Sequence, residues 1–126
     1  MSPTSRIPVA RSAVNAGAIA LLERIGGDLL VRELITLYRG YVPVRRAEAR
    51  AAWLAGDLEG VRRACQALRT GSLQLGLDAL AEHCADLEAC AAAGDGVALG
   101  AMLDAMEAVS DEALRWLDTR GWREAA

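Results

Sequence analysis

Gln66 stands among three arginines at helical spacing, Arg62, Arg63 and Arg69, and no other cluster in the chain is better suited to chemistry. The chemistry it suits is recognition. A carboxamide donates and accepts hydrogen bonds, but its nitrogen is not a nucleophile, while guanidinium groups stay charged and pair with carboxylates or phosphates. The other reactive side chains do not form a catalytic pattern. His83, the only histidine, flanks an apolar stripe between Leu80 and Leu87. Its spacing predicts that it faces the level of Gly71 on the preceding helix, roughly 7 Å along the axis from Gln66. It reads as a half-exposed boundary residue, with a nucleophilic role as the enzymatic alternative. Glu82, Asp86 and Glu88 read as solvated helix positions, and no histidine–aspartate or paired-carboxylate arrangement of a hydrolase is present. His83, Cys84 and Cys90 lack metal-ligand spacing, since adjacent side chains on a helix diverge by about 100°. The chain is therefore expected to be a non-enzyme with no catalytic residue, no metal and no cofactor.

Helices must position the Gln66 cluster. Gly26-Gly27-Asp28, Gly56-Asp57, Gly76-Leu77-Asp78 and Gly94-Asp95 punctuate the chain. Glycine adopts the left-handed conformation that closes a helix, and aspartate accepts from the free amides that open the next. A short helix is expected from Asn15 to Ile25, and a second from Asp28 to Arg39 with Leu30, Leu34, Ile35 and Tyr38 on one face. Pro43 is expected to start a third, with Val44, Ala47, Ala51 and Leu54 on its apolar side. From Asp57 to Leu75 the residues Leu58, Val61, Cys65, Leu68, Ser72 and Leu75 recur at intervals of three and four, a stripe that must face a partner helix. Gln66 lies off that stripe. From Asp78 the buried side is Leu80, Cys84, Leu87 and Ala91. From Asp95 it is Leu99, Met102, Leu103, Met106, Val109, Ala113 and Leu117.

No segment alternates as a strand would. Short links between amphipathic helices predict an all-α fold, an up-down-up-down antiparallel four-helix bundle with a short additional N-terminal helix. At 126 residues one domain is expected, with a tail over residues 1–14, the bundle over 15–120 and a second tail over 121–126. The composition is 53% hydrophobic and only 4% aromatic without phenylalanine, so the core must be aliphatic. A net charge of −3 argues against nucleic-acid binding over the whole surface. Three cysteines, Cys65, Cys84 and Cys90, are odd in number and suit reduced thiols rather than a disulfide framework. The apolar stretch from Ala13 to Leu22 follows Arg6 and Arg11, but Asn15 interrupts it and Glu23 ends it, so it does not read as a signal peptide. No stretch approaches the ~20 apolar residues of a spanning helix. No membrane association and a cytoplasmic location are expected. Trp53, Trp116 and Trp122 read as core or end-plug residues, with Trp122 as a weaker pointer to a partner or a second copy.

The run Gln66-Ala67-Leu68-Arg69-Thr70-Gly71-Ser72-Leu73-Gln74-Leu75-Gly76 resembles the signature of the histidine phosphotransfer (HPt) domains of bacterial phosphorelays. In that family a histidine followed by Leu, Lys and Gly, then a later Leu-Gly, carries the phosphoryl group. The resemblance extends from Ala18 to Leu117: Tyr38 stands where Phe is frequent, Pro43 follows in the expected short link, Gly56-Asp57 matches the Gly-Asp before the phosphoacceptor helix, and Leu80, Cys84, Leu87 and Glu88 follow the pattern of the next helix. It implies that Gln66 occupies the phosphoacceptor position, Arg69 the basic position and Thr70 the position of a glycine that leaves room for the imidazole. Glutamine cannot form a phosphoramidate, and Thr70 fills that room. The resemblance thus implies a pseudo-phosphotransfer protein, a monomer or weak dimer. Arg62, Arg63, Gln66, Arg69, Thr70 and Leu73 would bind the receiver domain of a response regulator or a hybrid histidine kinase. Two alternatives share the sequence: an active phosphotransferase carrying an engineered His-to-Gln change at 66, and a purely structural or dimerisation bundle.

Overall fold

Positive φ angles at Gly27 (73°), Gly56 (74°), Gly76 (73°) and Gly94 (80°) divide the chain at each of the four predicted breaks. The computed structural model describes residues 14–119, and its elements are α1 (Ala16–Leu54), α2 (Leu58–Gln74), α3 (Asp78–Ala93) and α4 (Gly96–Thr119). Aspartate caps form as predicted at Asp57 and Asp95, and Asn15 caps α1. Asn15 Oδ1 accepts from the Gly17 amide at 3.0 Å, Asp57 Oδ1 from Gly60 at 2.9 Å and Asp95 Oδ1 from Ala98 at 3.1 Å. At α3 the cap is Leu77, which makes no side-chain bond, and Asp78 lies in the first turn.

Between residues 28 and 54 the structure corrects the sequence reading. The second and third predicted helices are one: α1 is non-helical only at Gly27 and runs through Pro43. Pro43 and Arg39, four residues before it, are both exposed. The carbonyl that loses its intrahelical partner therefore lies on the solvent side of α1. Continuity is enforced from the other face, where Val31, Ile35, Tyr38, Val42 and Ala49 are buried in one stripe. That register also reverses the face expected after Pro43. Val44, Ala47, Ala51 and Leu54 are exposed, while Val42, Ala49 and part of Trp53 turn inward.

The helices form one bundle. Consecutive helices pack together, and α1 also packs on α4. Along α1 and α2, Asn15 N donates to Gly76 O at 2.5 Å and Tyr38 meets Ser72. Along α1 and α4, Arg39 pairs with Asp118, Arg46 with Asp111 and Arg50 with Asp104, so rising numbers on α1 meet falling ones on both neighbours. The α3 stripe and the α2 stripe from Val61 to Leu75 are buried as predicted, with Leu58 partly so, and on α4 Leu99, Leu103, Met106, Ala113 and Leu117 are buried, with Met102 and Val109 partly so. Val14 packs against the core. The tail assignments for residues 1–13 and 121–126, Trp122 included, lie outside the described residues. Among the described residues no helix is long and apolar enough to cross a membrane.

Gly76 carries two demands, a left-handed backbone and a close approach: an added Cβ would lie 2.1 Å from the Asn15 carbonyl oxygen. At Gly94 an added Cβ meets nothing within 4 Å. Gly94→Ala is expected to destabilise by roughly 1–2 kcal/mol, the ordinary left-handed penalty, and Gly76→Ala by clearly more. Urea denaturation of the two variants checks the ordering.

Candidate functional site

Gln66 is exposed near the middle of α2, and a groove of about 780 Å³ opens beside it between α1 and α2. Leu34, Leu37, Tyr38 and Tyr41 form its α1 wall, and Arg63, Gln66, Ala67 and Thr70 part of its α2 wall. Leu37 is 68% exposed although it is a large apolar residue. Glycine at 71 lets the walls approach, since an added Cβ would come within 3.3 Å of Tyr38 Cε1.

Behind the Tyr38 wall runs a hydrogen-bond chain. Ser72 Oγ donates to the Leu68 carbonyl at 2.7 Å and stands 2.6 Å from Tyr38 Oη, so the tyrosine hydroxyl is the donor in that contact. Both side chains are buried, and burial holds the phenol in its neutral form by pushing its pKa well above the usual tyrosine range, an effect the Ser72 bond only partly offsets. No unsatisfied polar group of this trio faces the groove, which leaves that wall apolar.

Of the six predicted partner-binding residues, the groove gathers three: Arg63, Gln66 and Thr70. Leu73 is half-exposed on the same helix but does not line the groove. Thr70 Oγ1 donates to the Gln66 carbonyl at 3.1 Å, so its hydroxyl is held along the helix axis and its methyl group remains beside Gln66. Arg62 and Arg69 lie on the α3 side of Gln66. Arg62 Nε donates to Glu59 Oε1 at 2.9 Å. Arg69 forms a two-pronged pair with Glu88, Nε to Oε2 at 2.6 Å and Nη2 to Oε1 at 3.2 Å. Arg63 is 62% exposed and reaches Glu59 only at 3.7 Å. The cationic rim expected from sequence is thus largely neutralised, and Arg63 is its least committed charge. At the same end of the groove, the Arg45 guanidinium lies 4.7 Å from the centre of the Tyr41 ring while Nη1 pairs with Glu48.

His83 departs from its predicted placement. Its Nε2 lies 2.9 Å from the Met102 carbonyl oxygen, so the ring faces α4 rather than Gly71 on α2. It bridges two helices and is not beside Gln66. Among the described residues no group of three His, Cys, Asp or Glu side chains is arranged to hold a metal ion. The aromatic groove wall is not marked in the sequence, and Glu88, expected as a solvated helix position, is instead only 15% exposed at its side chain and engaged by Arg69. Glu59, three and four residues before Arg62 and Arg63, was legible as a helical pair, whereas Glu88 reaches Arg69 only through the packing of α3 on α2.

Burial also marks the two core thiols. Cys65 and Cys84 are pushed up to about 12, with desolvation as the main cause; Glu88 adds to it at Cys65, and the Cys65 thiol followed by Glu88 adds to it at Cys84. A thiol whose folded pKa is raised contributes stability that is complete below its unfolded value near 9.0 and is lost as pH rises toward the folded value. Stability should therefore decline between about pH 9 and 12. Cys65→Val should remove part of that decline, as read by urea midpoints across the alkaline range.

The site's meaning rests on this geometry, because no family model, no curated protein and no solved structure matches the chain.

Proposed function

We propose that the protein is an HPt-like signalling bundle that binds a receiver domain, or a hybrid kinase carrying one, through the Gln66 face and does not accept a phosphoryl group. One observation carries the reading. An amide that cannot be phosphorylated stands exposed at the edge of an apolar groove, on a helix whose sequence resembles the phosphoacceptor helix of that family. The pairings along α1 suit the up-down-up-down antiparallel arrangement of such a bundle, with the segment before Gly27 as its short additional N-terminal helix. Such partners would place the protein in the cytoplasm as a monomer or weak dimer.

The binding chemistry is apolar first and ionic second. Leu37 and Tyr41 offer uncovered surface, Gln66 offers both a donor and an acceptor, and Arg63 offers charge to an acidic pocket such as the aspartate cluster of a receiver. Arg62 and Arg69 contribute less than sequence spacing implies, because Glu59 and Glu88 already engage them. Three guanidiniums against two carboxylates leave about one net positive charge on this face.

Incubation with phosphorylated receiver domains should leave the chain unlabelled while binding remains measurable. Uptake of acid-labile phosphate would falsify the proposal. Gln66→His alone should restore little transfer because Thr70 crowds the same turn, and Gln66→His with Thr70→Gly should restore more. Efficient transfer by the single variant would instead point to an engineered position. Arg63→Glu should weaken docking about five- to tenfold at low salt. A structural or dimerisation bundle without such a partner predicts that every interaction survives it.

A further inference from the structure

We infer that Glu88 is a positioning residue that sets the charge of the Gln66 face by holding Arg69 on its α3 side, withheld from a docking partner. This rests on the docking reading for its consequence but not for its geometry. Arg69 is three residues after Gln66, close enough on the helix surface for an unrestrained guanidinium to reach the space over the amide. It does not do so. Both of its prongs meet Glu88, and the carboxylate is the more buried partner, at 15% side-chain exposure against 35% for the arginine.

That asymmetry fixes the direction of control. Glu88 follows the buried Leu87 on α3 and is held by helix packing. Arg69 comes to it. A forked guanidinium satisfied by both carboxylate oxygens has a defined orientation, which a single exposed contact would not impose. The contrast with Arg63 supplies an internal reference: it lies on the same helix and meets its carboxylate only at 3.7 Å. Glu88 also acts on Arg62 as a weaker electrostatic neighbour behind Glu59. One carboxylate from α3 therefore tempers the two arginines on its own side of Gln66 and leaves the groove-side arginine untouched. Arg63 is therefore the charge left to meet a receiver's acidic pocket, with the apolar groove beside it supplying the rest of the contact.

Glu88→Gln keeps the side chain's shape and removes the charge that holds Arg69. The folded full-length protein and the variant are treated with phenylglyoxal, which modifies accessible guanidinium groups, and each arginine is quantified by mass spectrometry. In the native protein Arg63 should react at least about five times faster than Arg69, and in the variant the two rates should converge. Equal rates in the native protein, or an unchanged Arg69 rate in the variant, would overturn the inference. Should Glu88→Gln lose helical content, Glu88→Met gives the same comparison. In a parallel arm, a receiver domain captured by the native protein should bind the variant about three- to tenfold more tightly at low salt, and Arg69→Ala in the variant should remove that gain. A tighter complex that ignores Arg69→Ala also overturns the inference. If no receiver binds either form, the docking reading fails while the labelling still decides the role of Glu88.

Discussion

One buried hydrogen bond, the Tyr38 hydroxyl donated to Ser72, ties α1 to α2 inside their shared apolar core. A phenol in an apolar core is tolerated only with a partner, and an unpaired buried hydroxyl costs about 1–3 kcal/mol. Ser72 meets that demand from α2 by accepting, and donates its own hydroxyl hydrogen bond to the Leu68 carbonyl. Gly71 supplies the clearance for the ring. Together these three residues join α1 to α2 at this level, and the groove beside Gln66 opens next to that contact.

Charge on the molecule is distributed by the same packing. Arg39, Arg46 and Arg50 of α1 meet acidic residues of α4, while Arg32 and Arg45 pair with Asp28 and Glu48 on α1 itself. The arginines of α2 meet Glu59 on their own helix and Glu88 on α3. Exposed pairs of this kind add little stability individually, and their effect lies in orientation. A net charge of −3 conceals this pattern, in which the groove side of α2 keeps its positive charge and the α3 side has it cancelled.

Much of the fold was legible because its signals are local. Glycine breaks and the stripes of α2, α3 and α4 follow from spacing alone, and the stripe from Val61 to Leu75 is buried as read. Pro43 misled because proline is a strong local signal for a helix start, and only the tertiary burial of Val42 and Ala49 shows that the helix passes through it. The exposed position of Gln66 was readable from its angle to Cys65. Its surroundings were not, since the Tyr38 and Tyr41 wall and the Glu88 carboxylate reach it from other helices. Periodicity says which face is buried but not which neighbour meets it.

Because α1 does not break between Asp28 and Leu54, the groove wall and the far end of the bundle are parts of one lever. Leu37 and Trp53 are separated by about 24 Å of continuous helix. A tilt of about 5° forced by a wedge at Leu37 would swing the indole by roughly 2 Å over that arm. Trp53 has no slack to absorb it: its Nε1 donates to the Gly96 carbonyl at 2.7 Å, and an added Cβ at Gly100 would already lie 2.5 Å from the ring. Whatever spreads the groove therefore presses on the first turns of α4, and an indole fluorophore at the opposite end of the bundle registers an event beside Gln66.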